Sequence, residues 1–247
     1  MLDHQPLRGK TALTTGGAAR LGAMSTRFLH AAGANVIIHY RSSEDRARAL
    51  RDELLRQRAD SAFLLRGDLL DIDWLPELVQ GCLDTTGRLD VLLNNASNFF
   101  PTPVDEATQA QWDSLFGVNA KAPFFLARAA APALRENAGC IINMVDIHAE
   151  RPHKNHPIYS MAKAANAMMV KALARELAPQ IRVNGVAPGA ILWPEGDDQA
   201  KHQALPRIPL ERAGRPENIA RTVLFLATAE YITGQIIAVD GGRSVQQ

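Results

Sequence analysis

Short apolar runs rich in β-branched residues alternate with longer amphipathic stretches along the whole chain, and this alternation restricts the fold more than any other feature. The runs lie at 10–15, 35–40, 62–65, 91–94, 140–145, 182–187 and 235–239. Between them, 21–32, 44–58, 73–86, 112–136, 160–177 and 218–227 carry helical periodicity. Parallel strands need a crossover between them, and a helix is its usual form. The alternation therefore predicts an α/β fold, a doubly wound seven-stranded parallel sheet with helices on both faces. No repeat, low-complexity tract or Ser/Gly linker divides the sequence, so residues 1–247 are expected to form a single domain.

Charge and cysteine content narrow the partners. With 27 basic and 26 acidic residues, the chain has no general attraction for nucleic acid or anionic lipid, which leaves a small molecule as the expected partner. Cys82 and Cys140 are the two cysteines, too few for a disulfide framework, and neither has a partner at metal-ligand spacing. The stretch MLDHQPLRGK lacks the apolar core of a signal peptide, and no segment reaches the roughly 18 apolar residues of a membrane span. A reducing, cytoplasmic setting is the expectation.

The first predicted strand leads into TTGGAARLG, where Gly16, Gly17 and Gly22 punctuate the entry to a helix. Glycine allows close backbone approach to a pyrophosphate, and free amides at a helix start attract anions. Strand, glycine turn, helix and second strand in that order point to a dinucleotide. Arg20 replaces the usual middle glycine. It either faces a ligand or is a solvated helix-start residue, and a cation at a helix N-terminus opposes the macrodipole unless an anion is bound.

Cofactor choice is read at the end of the second strand, where an acidic residue would bind the ribose hydroxyls of NAD. Here HYRSS supplies Arg41, Ser42 and Ser43, a set suited to a 2′-phosphate, so NADPH is expected over NADH. Asp68, after the third strand, can accept from an adenine amino group. The polar, proline-containing stretch 193–209 is either a surface connection or a lid over substrate, with the lid expected at about 191–209.

Tyr159 and Lys163 stand four apart, on one helix face, and Asp146 precedes them by 13 positions. A nearby ammonium favours the phenolate, so Lys163 is expected to bring the tyrosine pKa down towards useful proton transfer. Asn119 in FGVNAKAPF and the segment NNAS complete the set.

TGGAARLG, NNAS, Asn119, Tyr159 with Lys163, PGA and ITGQIIAVDGG, in that order, resemble the short-chain dehydrogenase/reductase superfamily. The resemblance implies a Rossmann-like sheet, a nicotinamide cofactor and a dimer or homotetramer. It makes Tyr159 the proton donor, Lys163 its tuning partner and ribose ligand, and Asn119 the holder of a relay water. It runs the cofactor along Gly16, Arg20, Leu21, His39, Tyr40, Arg41, Ser42, Asp68, Leu69, Asn95, Ala96, Ser97, Lys163, Pro188, Gly189 and Ile191.

Two departures are informative. Members of the superfamily commonly carry serine where Asp146 stands and glycine where Arg20 stands. With HYRSS and NNASNFFPTP, these resemble the pteridine reductase branch, which reduces biopterin and folate with NADPH. That branch implies substrate contacts from Arg20, Ser97 and Phe99; Asp146 and Tyr159 are expected to meet the ring as well, with Ile191, Leu192 and Trp193 supplying part of the outer wall. The chemistry agrees. An ionised Asp146 accepts hydrogen bonds and repels the oxyanion that forms as a ketone is reduced, whereas ring N–H groups suit it. The rival readings are a 3-oxoacyl or polyol carbonyl reductase and a non-catalytic NADP-binding regulatory protein. His148, His153 and His156 match no zinc spacing, so no metal is expected.

Overall fold

The computed structural model describes residues 5–192 and 205–246. Seven strands, β1 (Thr11–Thr14), β2 (Asn35–Tyr40), β3 (Ala62–Arg66), β4 (Val91–Asn94), β5 (Cys140–Met144), β6 (Arg182–Pro188) and β7 (Ile236–Val239), form one sheet. All neighbours are parallel, in the order β3-β2-β1-β4-β5-β6-β7. The predicted single-domain α/β fold is therefore the one observed.

Period-two alternation splits the strand residues between two cores. Ala12, Val36, Ile38, Val91, Leu93 and Ile142 pack under α1 (Arg20–Ala31), α2 (Glu44–Gln57) and α7 (Pro216–Thr228). Leu13, Ile37, Leu92, Ile141 and Val183 pack under α3 (Leu75–Thr86) and α5 (Ala122–Glu136) on the opposite face. Burial on both faces is why these strands read as continuous apolar runs. The chain winds outward from β1 to β3, then returns to place β4 on the other side of β1. This reversal opens a crevice at the carboxyl ends of the strands, the usual ligand position in such sheets.

The predicted helix over 112–136 is not continuous. It divides into α4 (Gln109–Phe116), a π-helical turn (Gly117–Lys121) and α5. The reason is local: Pro123 lies four residues after Asn119 and has no N–H to give its carbonyl. Asn166 Nδ2, from α6 (Pro157–Leu177), donates to Asn119 O at 2.7 Å instead. A π-turn inside a helix is a recurrent marker of functional positions.

Among the described residues no helix is long and apolar enough to cross a membrane. Of the stretch expected to act as a lid, Trp193 and the rest of 193–204 lie outside the described residues.

Candidate active site

A cleft of about 1040 Å³ runs along the carboxyl edge of the sheet. Its floor is the glycine turn after β1. Gly16 adopts φ +59°, and a Cβ on Gly22 would stand 2.4 Å from Gly16 O, so only glycine fits these two positions. The turn is braced from both sides. Asn95 Nδ2 donates to Thr15 O at 2.9 Å and Gly16 O at 3.1 Å. Gly16 N–H donates to His39 Nδ1 at 3.2 Å, which leaves Nε2–H to donate to Gly67 O, also at 3.2 Å. Burial pushes the His39 pKa down to about 4, so this ring stays neutral with one donor and one acceptor. His39 and Asn95 thus spend their polar atoms on holding the turn.

The start of α1 carries no side-chain cap and no acidic residue in its first turn. Its first residue, Arg20, has φ +51°, a left-handed conformation that costs a non-glycine residue roughly 1 kcal/mol or more. Uncapped amides, a strained cation and a glycine turn form a donor set that an anion would satisfy, which fits a nucleotide pyrophosphate. We expect Arg20→Gly to stabilise the ligand-free protein by about 1 kcal/mol, a Tm rise of about 2–4 °C. The same change should weaken binding of a nicotinamide dinucleotide by roughly tenfold. Thermal melts without ligand and a cofactor titration test both halves; a lower Tm or unchanged affinity would contradict the argument.

Tyr40, Arg41, Ser42, Asp68 and Leu69 line the far end of the cleft. Arg41 Nη1 lies 3.7 Å from Asp68 Oδ2 with both side chains half exposed, a weak pair that leaves the guanidinium free to turn to a phosphate. Asp68 Oδ1 accepts from Leu70 N–H at 3.0 Å. Leu21, Ala96, Pro188, Gly189 and Ile191 line the middle of the cleft. Gly189 is required there, since a Cβ would stand 2.5 Å from Asp240 Cβ.

At the near end three of the four expected catalytic residues, Asp146, Tyr159 and Lys163, meet. Tyr159 and Lys163 are buried, at 4 % and 2 % exposure. Tyr159 OH donates to Asp146 Oδ2 at 2.7 Å, and Asp146 Oδ1 accepts from His148 N–H at 2.8 Å. Lys163 Nζ donates to Met144 O at 2.8 Å and stands 5.7 Å from the centre of the Tyr159 ring.

The expectation that Lys163 lowers the Tyr159 pKa is reversed here. Burial, the negative charge of Asp146 and the hydrogen bond to it hold the tyrosine well above its ordinary value, with Ser97 pulling weakly the other way. Burial brings Lys163 down to about 8. Burial and the carboxylate, not the ammonium, therefore set the direction at the phenol.

Asn119 lies behind the cleft, fully buried. Its Oδ1 accepts from Ser97 Oγ at 2.7 Å, and its Nδ2 donates to Asn98 O and Leu115 O at 3.0 and 2.9 Å. A relay water would use the remaining lone pair of Oδ1 or that of the backbone carbonyl, which accepts one bond from Asn166. Sequence reasoning missed what supports Asn119. Asn94 Nδ2 donates to Asn143 Oδ1, Asn143 Nδ2 to Asn166 Oδ1, and Asn166 Nδ2 to Asn119 O, all within 2.7–3.0 Å. This buried amide ladder ties β4, β5 and α6 to the π-turn.

Phe99 projects into the cleft, 56 % exposed. Its ring lies near-parallel to His156 at 4.5 Å and meets Tyr159 edge-on at 4.8 Å. His153 stacks on His148 at 4.7 Å and on His156 at 4.6 Å. Among the described residues no cluster of three or more His, Cys, Asp or Glu is arranged to hold a metal.

The family model described as enoyl-(acyl carrier protein) reductase matches residues 17–244. The chain belongs to the short-chain dehydrogenase/reductase superfamily. Its relatives include pteridine reductase 1 of Leishmania tarentolae, 35% identical over 95% of this chain and 96% of that protein. The 3-oxoacyl-[acyl-carrier-protein] reductase FabG of Staphylococcus aureus is also 35% identical, over 94% of this chain and 97% of its own. Versicolorin reductase stcU of Emericella nidulans is 34% identical, with 97% of each chain covered. The protein is thus an oxidoreductase of a superfamily that works with NAD(P)H on small molecules, and overall identity does not choose between a pterin and an acyl substrate.

Proposed function

We propose that this superfamily member is an NADPH-dependent pteridine reductase, converting a dihydropterin such as dihydrobiopterin or dihydrofolate to the tetrahydro form. The observation that carries the reading is the 2.7 Å hydrogen bond from Tyr159 OH to Asp146. A carboxylate beside the proton donor repels a developing ketone oxyanion and welcomes ring and amino N–H groups. The similarity to 3-oxoacyl reductases keeps a carbonyl substrate as the second reading, and Asp146 weighs against it.

A bound reduced nicotinamide supplies the hydride that saturates a C=N carbon. The protein's part is orientation and one proton. Phe99 offers a flat face for an aromatic ring, in the offset stacking that π faces favour. Asp146 accepts from the ring edge, which displaces the Tyr159 hydroxyl from the carboxylate and turns it to the ring nitrogen. The phenol proton passes to that nitrogen as the C=N bond is reduced. The phenolate left behind is held by the Lys163 ammonium until water restores the proton, and Ser97 Oγ, which donates to Asn119 Oδ1 at 2.7 Å, would turn from that acceptor to donate to the phenolate. Arg20 with Arg41 and Ser42 is assigned to the phosphates, which favours NADPH over NADH.

A cytoplasmic homotetramer is part of the same reading. It is supported by large apolar side chains exposed on helices α4, α5 and α6, namely Trp112, Phe124, Met161 and Met168, which subunit contacts would cover.

One assay separates the readings: NADPH oxidation by the purified protein with dihydrobiopterin, dihydrofolate and a 3-oxoacyl thioester side by side. Multiple turnovers with a dihydropterin, exceeding those with the thioester, are expected. Preference for the thioester would replace this reading with the carbonyl one, and no turnover with any substrate would favour a regulatory role.

A further inference from the structure

The residues assigned to ring and cofactor leave two cleft-lining cations without a task, Arg207 and Arg243. They come from segments that pack on each other. Leu210 N–H donates to Gly241 O at 3.1 Å, and Gln246 Nε2 donates to Pro206 O at 3.4 Å. Arg151, from the loop before α6, donates to Gln246 O. The wall bearing these arginines is thereby fixed to the loop that carries the histidines.

Among the described residues neither arginine has an acidic partner. Five ion pairs join described residues, and none includes Arg207 or Arg243. Asp240, close to Arg243 in sequence, has its oxygens taken by Gly242 N–H at 2.9 Å and Ser244 N–H at 2.6 Å. The charge of Arg243 acts on the His153 ring, as does that of Asp146. Arg243 therefore stands at the substrate end of the cleft, not at the end of Arg41. Guanidinium groups that line one cleft without an acidic partner among the described residues suit an anion with oxygens in a plane or a tetrahedron, which accepts paired hydrogen bonds.

We propose that the substrate carries an anionic tail, a carboxylate or a phosphate, which Arg243 and Arg207 bind while the ring lies between Phe99 and Asp146. The inference rests on the pteridine reading for the ring and adds a preference for charged over neutral side chains.

The test compares dihydrofolate, with tail carboxylates, dihydroneopterin phosphate, with a tail phosphate, and dihydrobiopterin, with a neutral tail, on wild type, Arg207→Gln, Arg243→Gln and Arg243→Lys. Wild type should favour at least one anionic tail in kcat/KM. Arg243→Gln should shrink the anionic-to-neutral ratio on the order of tenfold, chiefly through KM, with Arg243→Lys recovering part of it. The two anionic arms tell carboxylate from phosphate. Equal losses for all tails, or a matching loss of NADPH affinity, overturns the inference and leaves the pteridine reading standing. Absence of turnover with every dihydropterin overturns both.

Discussion

Asp146→Ser should lower dihydropterin turnover by about 100-fold, while activity towards a 3-oxoacyl thioester holds or rises. The carboxylate does two things that a hydroxyl does not. It presents acceptor oxygens only, and its negative charge is one cause of the raised Tyr159 pKa. Serine replaces it with a group that donates, which suits a carbonyl oxygen and leaves ring N–H groups with a weaker partner. The backbone turn should survive, because serine also caps short helical turns and so replaces the acceptor of the His148 N–H bond. Loss of activity would then be chemical and not a folding defect, which unchanged melting would verify. Steady-state NADPH consumption with both substrates gives the result. A serine variant that still reduced dihydropterins at the wild-type rate would remove the main support for the pteridine reading.

Much of this architecture is written in local periodicity. Strands buried on both faces are continuous apolar runs, and each helix that covers them shows its own stripe, so element type and fold class were legible. The break at Asn119 was also legible in principle, through Pro123 four residues on, but helical periodicity runs through the π-turn and hides it. The amide ladder was not. Asn94 and Asn143 are 49 positions apart and Asn143 and Asn166 are 23 apart, so nothing short-range links them before the sheet forms. Arg207 and Arg243 escaped notice for the same reason. The spacing of Tyr159 and Lys163 disclosed that they share a face, but not which charge dominates. That balance depends on burial and on Asp146, contributed by a different segment.

Tyr159→Phe should cost about 10²–10⁴-fold in kcat, the range for removing a positioned proton donor, with NADPH binding retained. The ring keeps its packing beside Leu115, Ile158 and Phe100, so the variant tests the hydroxyl alone. The pH dependence should identify what assists it. Lys163, brought down to about 8 by burial, is cationic below that pH and neutral above it. Tyr159, raised, keeps its proton through the same window. Wild-type kcat/KM should therefore fall as pH rises through about 8 because the ammonium that holds the phenolate is lost, not because the donor ionises. Lys163→Arg keeps a cation at every accessible pH, so its rate, even if lower, should show no such limb. A limb that persisted in Lys163→Arg would assign the ionisation to another group and detach the lysine from the proton step.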